Sequence, residues 1–367
     1  MEYRTNRRTG DKISVIGLGT SYIGDAPESQ AIAALEYAAQ QGINYADLAT
    51  GGAKTFEYYG KALGSVRDRM HYQVHFGADY TKDGKYGWST DLDTVKRSLS
   101  MQLENLKTDY IDYGFIHCID EEKDWQKYQD GGILQYLLDM KAQGVVKHIG
   151  MSTHNPVLGN IGLDTGLLDM LMFSINPAYD HAKGDYANGS SAERMDLYRR
   201  CEAEGVGISV MKMFSGGQLL DEKRSPFGRA LTAYQCIQYA LDKPGVLTVL
   251  PGVSSVENVK ELIAFLDAPA EERDYSILAE LTPRAEQPAC VYCNHCAPCP
   301  MGLNVALINK YYDLARMGDS MAVDHYKKLD VRADSCVKCG HCESRCPFSV
   351  NQEERMSEIA EYFAKLI

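Results

Sequence analysis

Two cysteine motifs near the carboxyl end of the chain have the spacing of metal ligands. The first, Cys-x2-Cys-x2-Cys-x2-Cys-Pro, runs from Cys290 to Pro300, and the second, Cys-x2-Cys-x2-Cys-x3-Cys-Pro, runs from Cys336 to Pro347. Three cysteines at such steps can hold one [4Fe-4S] cluster, and the fourth, before a proline, ligates the other cluster in proteins that carry two. The sequence therefore predicts two [4Fe-4S] clusters, with Cys290, Cys293, Cys296 and Cys346 at one and Cys299, Cys336, Cys339 and Cys342 at the other.

Zinc is the alternative metal, because Cys-x2-Cys pairs also form zinc ribbons. The third in-register cysteine and the Cys-Pro ending of each motif favour iron–sulfur clusters. The last gap of the first motif is one residue shorter than usual, which leaves the exchange of Cys299 between the clusters open. His295 and His341 lie inside the motifs, and we expect them beside the clusters, because the cysteines already fill both sites.

The bulk properties of the chain exclude two classes of partner. Its 367 residues carry a net charge of −12, whereas nucleic-acid binding requires a basic surface. The chain has no run of about 18 apolar residues, so we expect no membrane span. No apolar segment follows the polar N-terminus, so we expect no signal peptide and a cytoplasmic location, where clustered cysteines indicate metal binding rather than disulfides.

Short apolar runs alternate with amphipathic stretches up to about residue 266, which predicts strands separated by helices. The clearest helix is Leu92 to Leu106, with Thr90 and Asp93 as its start signal. Eight such units over about 250 residues favour a closed (β/α)8 TIM barrel. A doubly wound open sheet is the alternative, but no Gly-x-Gly-x-x-Gly follows the first strand. The predicted strands are Val15 to Leu18, Asn44 to Asp47, Tyr72 to Phe76, Ile111 to Ile116, His148 to Met151, Met170 to Ile175, Gly207 to Met211 and Leu247 to Leu250.

These patterns divide the chain into three parts. We predict a barrel over residues 1–275, a linker over 276–288 that begins with a short helix, and a small cysteine-rich α-helical domain over 289–367. Functional groups of such barrels cluster where strands end. The polar residues at the predicted strand ends are Asp47, His75, His117, Ser152, Asn176 and Lys212.

The barrel part resembles the aldo-keto reductases, and the match continues into the branch of that family with a fused ferredoxin-like domain. In that branch the shorter first cysteine motif is also usual. The resemblance covers essentially the whole chain. It is carried by the segments Ile16-Gly17-Leu18-Gly19-Thr20, Gly42-Ile43-Asn44-Tyr45-Ala46-Asp47, Gly60-Lys61-Ala62-Leu63, Thr108-Asp109-Tyr110-Ile111-Asp112-Tyr113, Ile116-His117, His148-Ile149-Gly150-Met151-Ser152 and Pro251-Gly252-Val253-Ser254-Ser255.

The resemblance implies a catalytic tetrad of Asp, Tyr, Lys and His, and this chain keeps half of it. Asp47 and His117 stand at matching positions, whereas the tyrosine position holds Gly52 and the lysine position falls on His75. A carbonyl that accepts a hydride needs a proton donor, and His75 could supply one, because histidine is the side chain whose ordinary pKa lies near neutral pH. The alternatives are structural: Asp47 as a strand cap, His117 as a satisfied polar residue and His75 as core filler.

The resemblance also implies NAD(P)H-binding loops, and these match only in outline. Small residues and backbone N–H groups there can hold a pyrophosphate. Asn258 replaces the arginine that often binds the 2′-phosphate, so we expect weak binding with little preference for NADPH. The alternative is that these glycines only turn the chain. The matching residues are Ser152, Lys212, Ser215, Gly216, Gly217, Gly252, Ser254, Ser255, Asn258 and Glu261.

Three functions follow from these features. The first is an iron–sulfur oxidoreductase, active under anaerobic conditions, whose clusters exchange electrons with a small carbonyl or hydroxyl substrate in the barrel mouth. A ferredoxin or another redox partner would supply the electrons. The second is a nicotinamide-dependent carbonyl reductase in which the clusters are structural. The third is a non-enzymatic electron carrier on a decayed barrel. The incomplete tetrad favours the first.

Overall fold

Eight parallel strands form the barrel that the sequence predicts. The computed structural model describes residues 1–49, 51–80, 86–181, 184, 186–279, 290, 296–316, 320–346 and 350–367. Parallel bridges from Ile16 to Val249 and from Gly19 to Gly252 join the last strand to the first, so the open sheet is excluded. The barrel strands pair in chain order and are β3 (Leu18–Gly19), β4 (Tyr45–Leu48), β5 (His71–Phe76), β8 (Ile111–Ile116), β9 (Val146–Thr153), β10 (Met170–Ser174), β11 (Gly207–Met211) and β12 (Val246–Val249).

The remaining strands form two hairpins. The antiparallel pair β1 (Tyr3–Thr5) and β2 (Lys12–Ser14) forms a hairpin before the first barrel strand. The pair β6 (Ala78–Tyr80) and β7 (Tyr86–Trp88) extends from the end of β5. Gly77 makes this exit with φ 127°, and a Cβ on Gly77 would lie 3.0 Å from the Cβ of His117. Only glycine therefore lets the second hairpin leave so close to a candidate site residue.

Helices between the strands cover the barrel. The buried side chains of the longest, α3, lie on one face as predicted. Its N-cap, however, is Asp91 rather than Thr90, because the Asp91 side chain accepts a bond from the Thr94 backbone N–H. The described helices of the barrel part are α1 (Glu28–Gln40), α2 (Ala53–Leu63), α3 (Leu92–Leu106), α4 (Glu122–Asp130), α5 (Ile133–Ala142), α6 (Pro156–Asp164), α7 (Pro177–Asp180), α8 (Ser191–Glu204), α9 (Ala233–Leu241), α10 (Val256–Ala264) and α11 (Ala270–Arg273).

Close packing of the backbone on both sides of the first barrel strand explains the Gly17-Leu18-Gly19 motif. A Cβ on Gly19 would lie 2.6 Å from the carbonyl oxygen of Leu250, and one on Gly17 would lie 3.1 Å from that of Tyr45. The barrel interior is filled by a separate cluster of buried side chains that includes Tyr45, Phe115 and Met172. The barrel is thus a packed core, and chemistry is left to its ends.

The chain divides into two compact units, Met1–Ala182 with Ala187–Thr282 and Lys183–Tyr186 with Pro283–Ile367. The short helix expected at the start of the linker is a single 3-10 turn, Ser276–Ala279. In the described part of the second unit, the regular elements are helical: α12 (Val305–Arg316), α13 (Ser320–Lys327), the 3-10 turn Ala333–Ser335, α14 (His341–Ser344) and α15 (Gln352–Ala364).

The helices of the second unit are held by buried polar and aromatic contacts. The Asn309 side chain on α12 donates to that of Gln352 on α15 at 2.9 Å, and both residues are buried. Tyr326 on α13 stacks on Phe363 on α15, with ring centroids 3.6 Å apart. Across the described residues of both units, no helix has both the length and the hydropathy needed to cross a bilayer.

Candidate functional site

Asp47, His75 and His117 meet at the carboxyl ends of three neighbouring strands. They lie on β4, on β5 and directly after β8, which pair side by side in the sheet. His75 Nε2 lies 2.7 Å from Asp47 Oδ1, and His75 Nδ1 lies 2.9 Å from His117 Nδ1. All three side chains are buried. The structure therefore joins the three predicted catalytic residues in one line of hydrogen bonds.

Gln73 orients this line, although it was not among the predicted site residues. Its Oε1 accepts bonds from the hydroxyls of Tyr45, at 2.7 Å, and Ser209, at 3.1 Å. The amide nitrogen must then face Asp47 Oδ1, which it contacts at 3.0 Å. Gln73 precedes His75 by two residues on one strand, so both side chains point to the same face. That period-two spacing was the available signal.

Tyr86 continues the line at its outer end. Its hydroxyl lies 2.5 Å from His117 Nε2, and the neighbouring Trp88 indole N–H donates to the His117 carbonyl at 3.3 Å. Unlike the three buried residues, Tyr86 is half-buried. Both aromatic residues come from β7, so the second hairpin brings a phenol to His117 that the sequence did not indicate.

Asp120 and Ser152 hold the loop that carries His117. Asp120 Oδ1 accepts from the His154 backbone N–H at 2.6 Å, and Asp120 Oδ2 lies 2.9 Å from His154 Nδ1. The Ser152 hydroxyl accepts from the Cys118 backbone N–H at 2.7 Å. These bonds join the ends of β8 and β9 and limit the movement of His117. Ser152, a predicted cofactor residue, has this structural contact.

The position expected to hold the missing tyrosine cannot easily accept one. Gly52 is the N-cap of α2 and has φ 76° and ψ 173°, a region essentially restricted to glycine that costs other residues about 1–3 kcal/mol. Tyr58 and Tyr59 follow on α2, and both are buried in the core between strands and helices. Burial raises the pKa of Tyr59 well above its usual value. A tyrosine at position 52 would therefore need a different local backbone.

The candidate nicotinamide loops are well ordered by their own hydrogen bonds. Ser255 caps α10 by accepting from the Asn258 backbone N–H at 3.2 Å. The Asn258 side chain turns back to Ser254, accepting from its hydroxyl at 3.0 Å and from its backbone N–H at 3.2 Å. Gly252 bridges to Gly19, and Glu261 is exposed on α10. Asn258 therefore stabilises the loop with a neutral side chain.

The loop after β11 contains a series of left-handed residues. Lys212 has φ 59° and Ser215 has φ 50°, and they are followed by Gly216 at 62° and Gly217 at 84°. Non-glycine residues seldom adopt this conformation, which is concentrated at functional sites. Asn176 ties the loop to the end of β10 by donating to the Lys212 carbonyl at 2.9 Å. The backbone here is fixed in a shape that ordinary turn formation does not require.

Four cysteines line one small cavity in the second unit. They come from both motifs, and the rest of the lining is mostly apolar, including Met301, Leu303 and Met356, with His341 and Glu353 as its ionisable members. The chain reaches this cavity through two left-handed residues, Lys338 at φ 52° and Gly340 at 69°. The set is Cys299, Cys336, Cys339 and Cys342, the four predicted to share one cluster. Four thiolate donors in a mostly apolar pocket fit a [4Fe-4S] cluster, and Cys299 of the first motif lies with three cysteines of the second, as an exchange of ligands between the motifs requires.

The other predicted ligands are only partly described. Cys290 and Cys346 are half-buried and Cys296 is buried, whereas Cys293 lies outside the described residues. Burial, with smaller contributions from the neighbouring Cys336 and Cys296, raises the pKa of Cys342 to about 11. The effect of Cys296 on Cys342 indicates that thiols of the two motifs are close together.

The comparisons with known proteins agree with this geometry. The family model for the aldo/keto reductase family matches residues 15–230, and that for a 4Fe-4S dicluster domain matches residues 289–351. L-galactose dehydrogenase from Arabidopsis thaliana is 26% identical over 72% of this chain and 88% of its own length. The uncharacterized oxidoreductase YqkF from Bacillus subtilis is 24% identical over 70% of this chain and 88% of its own.

Solved structures share the barrel fold. The aldo-keto reductase AKR11C1 from Bacillus halodurans superposes with a TM-score of 0.60 at 20% identity, over 77% of this chain and 96% of its own. An aldo/keto reductase from Klebsiella pneumoniae, in complex with NADP and acetate, gives 0.54 at 22% identity, over 72% and 90%. The family model covers more than half of the chain. The chain therefore belongs to the aldo/keto reductase family of oxidoreductases and carries a C-terminal 4Fe-4S dicluster domain.

Proposed function

We propose that this oxidoreductase exchanges electrons between two C-terminal [4Fe-4S] clusters and a small carbonyl or hydroxyl substrate in the barrel mouth. The observation that carries the proposal is the line from Asp47 through His75 to His117, which lacks the lysine and tyrosine of the family's hydride chemistry. When bound, such clusters supply or accept single electrons. Cys299, Cys336, Cys339 and Cys342 would hold one of them.

The barrel residues supply proton chemistry. The Asp47 carboxylate holds His75 by its Nε2, and it can compensate a positive charge that the imidazole pair carries during proton transfer, because opposite charges at this distance stabilise one another. The relative named L-galactose dehydrogenase leads us to propose a polyhydroxylated aldehyde or hemiacetal as the substrate class.

The test is an anaerobic assay with dithionite-reduced methyl viologen as electron donor and L-galactose and other aldoses and hydroxyketones as acceptors. We expect carbonyl-dependent oxidation of the viologen. Cys339→Ser should abolish it and lower the iron content, and Cys236→Ala, which changes a buried barrel cysteine, should do neither. Turnover with NADPH alone, and none with the viologen, would contradict the proposal.

A nicotinamide-dependent carbonyl reductase is the second candidate. It is favoured by the left-handed loop at Lys212 and Ser215 and by the NADP complex of the Klebsiella pneumoniae relative. The anaerobic assay decides between the two candidates when reduced methyl viologen and NADPH are each offered as the sole electron donor. A non-enzymatic electron carrier is disfavoured by the family assignment.

A further inference from the structure

We propose that Tyr86 replaces the missing tyrosine as the residue that exchanges a proton with the substrate oxygen, and that His117, His75 and Asp47 act through it as a one-proton relay. The inference rests on the proposed substrate site in the barrel mouth, but not on the source of the electrons. It comes from four groups joined by three short hydrogen bonds, of which only the last, Tyr86, is half-exposed.

The orientation of Gln73 determines where the protons lie. Its amide N–H donates to Asp47 Oδ1, which leaves Asp47 as the acceptor for His75 Nε2–H. In the neutral relay, His75 Nδ1 then accepts from His117 Nδ1–H. His117 Nε2 accepts in turn from the Tyr86 hydroxyl, so every donor faces an acceptor.

One added proton reverses the outer half of the relay. With both ring nitrogens of His75 protonated, His75 Nδ1–H donates to His117, and His117 Nε2–H donates to the Tyr86 oxygen. The Tyr86 hydroxyl is then released to point outward, toward a substrate. The positive imidazole remains paired with the Asp47 carboxylate at 2.7 Å, which keeps this buried charge compensated.

During reduction, each proton that leaves one group of the relay is taken up by the next. The substrate oxygen takes the hydroxyl proton of Tyr86, whose oxygen takes the Nε2 proton of His117. His117 Nδ1 takes the Nδ1 proton of His75, and His75 ends neutral. The substrate carbon gains its hydrogen separately, as a hydride or as two electrons and a proton from water. Oxidation of an alcohol runs the same steps in reverse, so the neutral relay accepts a proton and the charged relay donates one.

The relay makes the two directions depend on pH with opposite sign. Among the described residues, the titratable groups that contact the imidazole pair are Asp47 and Tyr86, and the phenols of Tyr45, Tyr59 and Tyr80 lie near Asp47. Burial raises the pKa of each of these three, so they stay neutral and leave Asp47 to set the charge. Because reduction consumes the added proton of the relay and oxidation needs the relay without it, reduction should slow as pH rises and oxidation should accelerate.

The activity test compares Tyr86→Phe with Tyr80→Phe. Tyr80 lies on the same hairpin, but its hydroxyl donates to the Ala49 carbonyl outside the relay. With an aldose acceptor and either electron donor, Tyr86→Phe should lose on the order of 10²–10⁴-fold in turnover, the range of a general acid. It should also lose the pH dependence, and Tyr80→Phe should keep both. Wild-type rate and pH profile in Tyr86→Phe would overturn the relay and leave the proposed function standing.

A second readout needs no substrate. In ¹⁵N NMR of histidine-labelled protein, His117 should carry its proton on Nδ1 at high pH, and Tyr86→Phe should shift its Nε2 resonance. Tyr80→Phe should leave that resonance unchanged. A His117 protonated on Nε2 in the neutral protein, or insensitive to Tyr86→Phe, would contradict the relay even if no carbonyl substrate is turned over. Such a lack of turnover would count against the proposed function alone.

Discussion

At the scale of single residues, the neutral amides matter as much as the ionisable groups. Gln73 gives the relay its direction, because two hydroxyls occupy its carbonyl oxygen. Asn258 organises the loop before α10 with the side chain that would otherwise reach toward a ligand. Both effects depend on which atom accepts and which donates, so neither could be derived from residue spacing.

The Asn258 contacts predict poor discrimination between nicotinamides. Hydrogen bonds to charged groups contribute about 1.5–3 kcal/mol, and without an arginine this contribution to NADPH affinity is missing. We expect the dissociation constants of NADPH and NADH, measured anaerobically by calorimetry, to differ by less than about tenfold, or 1.4 kcal/mol. Submicromolar NADPH binding with a large preference over NADH would show this prediction to be wrong.

At the scale of elements, hydrophobic periodicity predicted long helices and buried strands, but it did not predict the hairpin of β6 and β7. The spans of α3, β8 and β11 are confirmed to the residue, because their apolar residues repeat over several turns or fill a buried strand. The hairpin of β6 and β7 has three-residue strands, too short for a period to emerge, and it supplies Tyr86. The line of Asp47, His75 and His117 was expected because strand ends meet at one edge, whereas its outer end depends on that unpredicted hairpin.

The packing of α2 on α3 predicts a large difference between two nearby glycines. A Cβ on Gly60 would lie 2.0 Å from the Asn105 carbonyl oxygen, whereas one on Gly64 would have no neighbour within 4 Å. Gly60→Ala should lower the free energy of unfolding by about 1–3 kcal/mol, as overpacking does. Gly64→Ala, at φ −56°, should leave it unchanged or slightly higher. Urea denaturation measures both, and equal effects would contradict this account of the helix contact.

At the scale of the whole molecule, two classes of cysteine serve different purposes. Cys201 and Cys236 are buried in the barrel unit, and burial raises the pKa of each thiol to about 12. Such thiols are unreactive at neutral pH, because the thiolate is the nucleophile. The cysteines of the two motifs lie instead in the 4Fe-4S dicluster domain, and we expect them to bind iron as thiolates.

Removal of the metal should reveal a difference in reactivity between these two classes of cysteine. Anaerobically purified protein should contain about eight iron and eight sulfide per chain, the content of two [4Fe-4S] clusters. After chelation, iodoacetamide should label cysteines of the two motifs but not Cys201 or Cys236, as read by peptide mass spectrometry. The second unit should also lose helical signal, since metal binding and folding are coupled. Stoichiometric zinc without broad absorbance near 400 nm would instead indicate the ribbon alternative.

The measurement that tests the central claim most directly is freeze-quench electron paramagnetic resonance. The protein is reduced with dithionite, freed of excess reductant and mixed with an aldose that it turns over, in the absence of nicotinamide. The account predicts that the signal of the reduced clusters decays at the rate at which the alcohol forms, and that Tyr86→Phe slows both together. A cluster signal that persists while NADPH alone drives formation of the alcohol would contradict it.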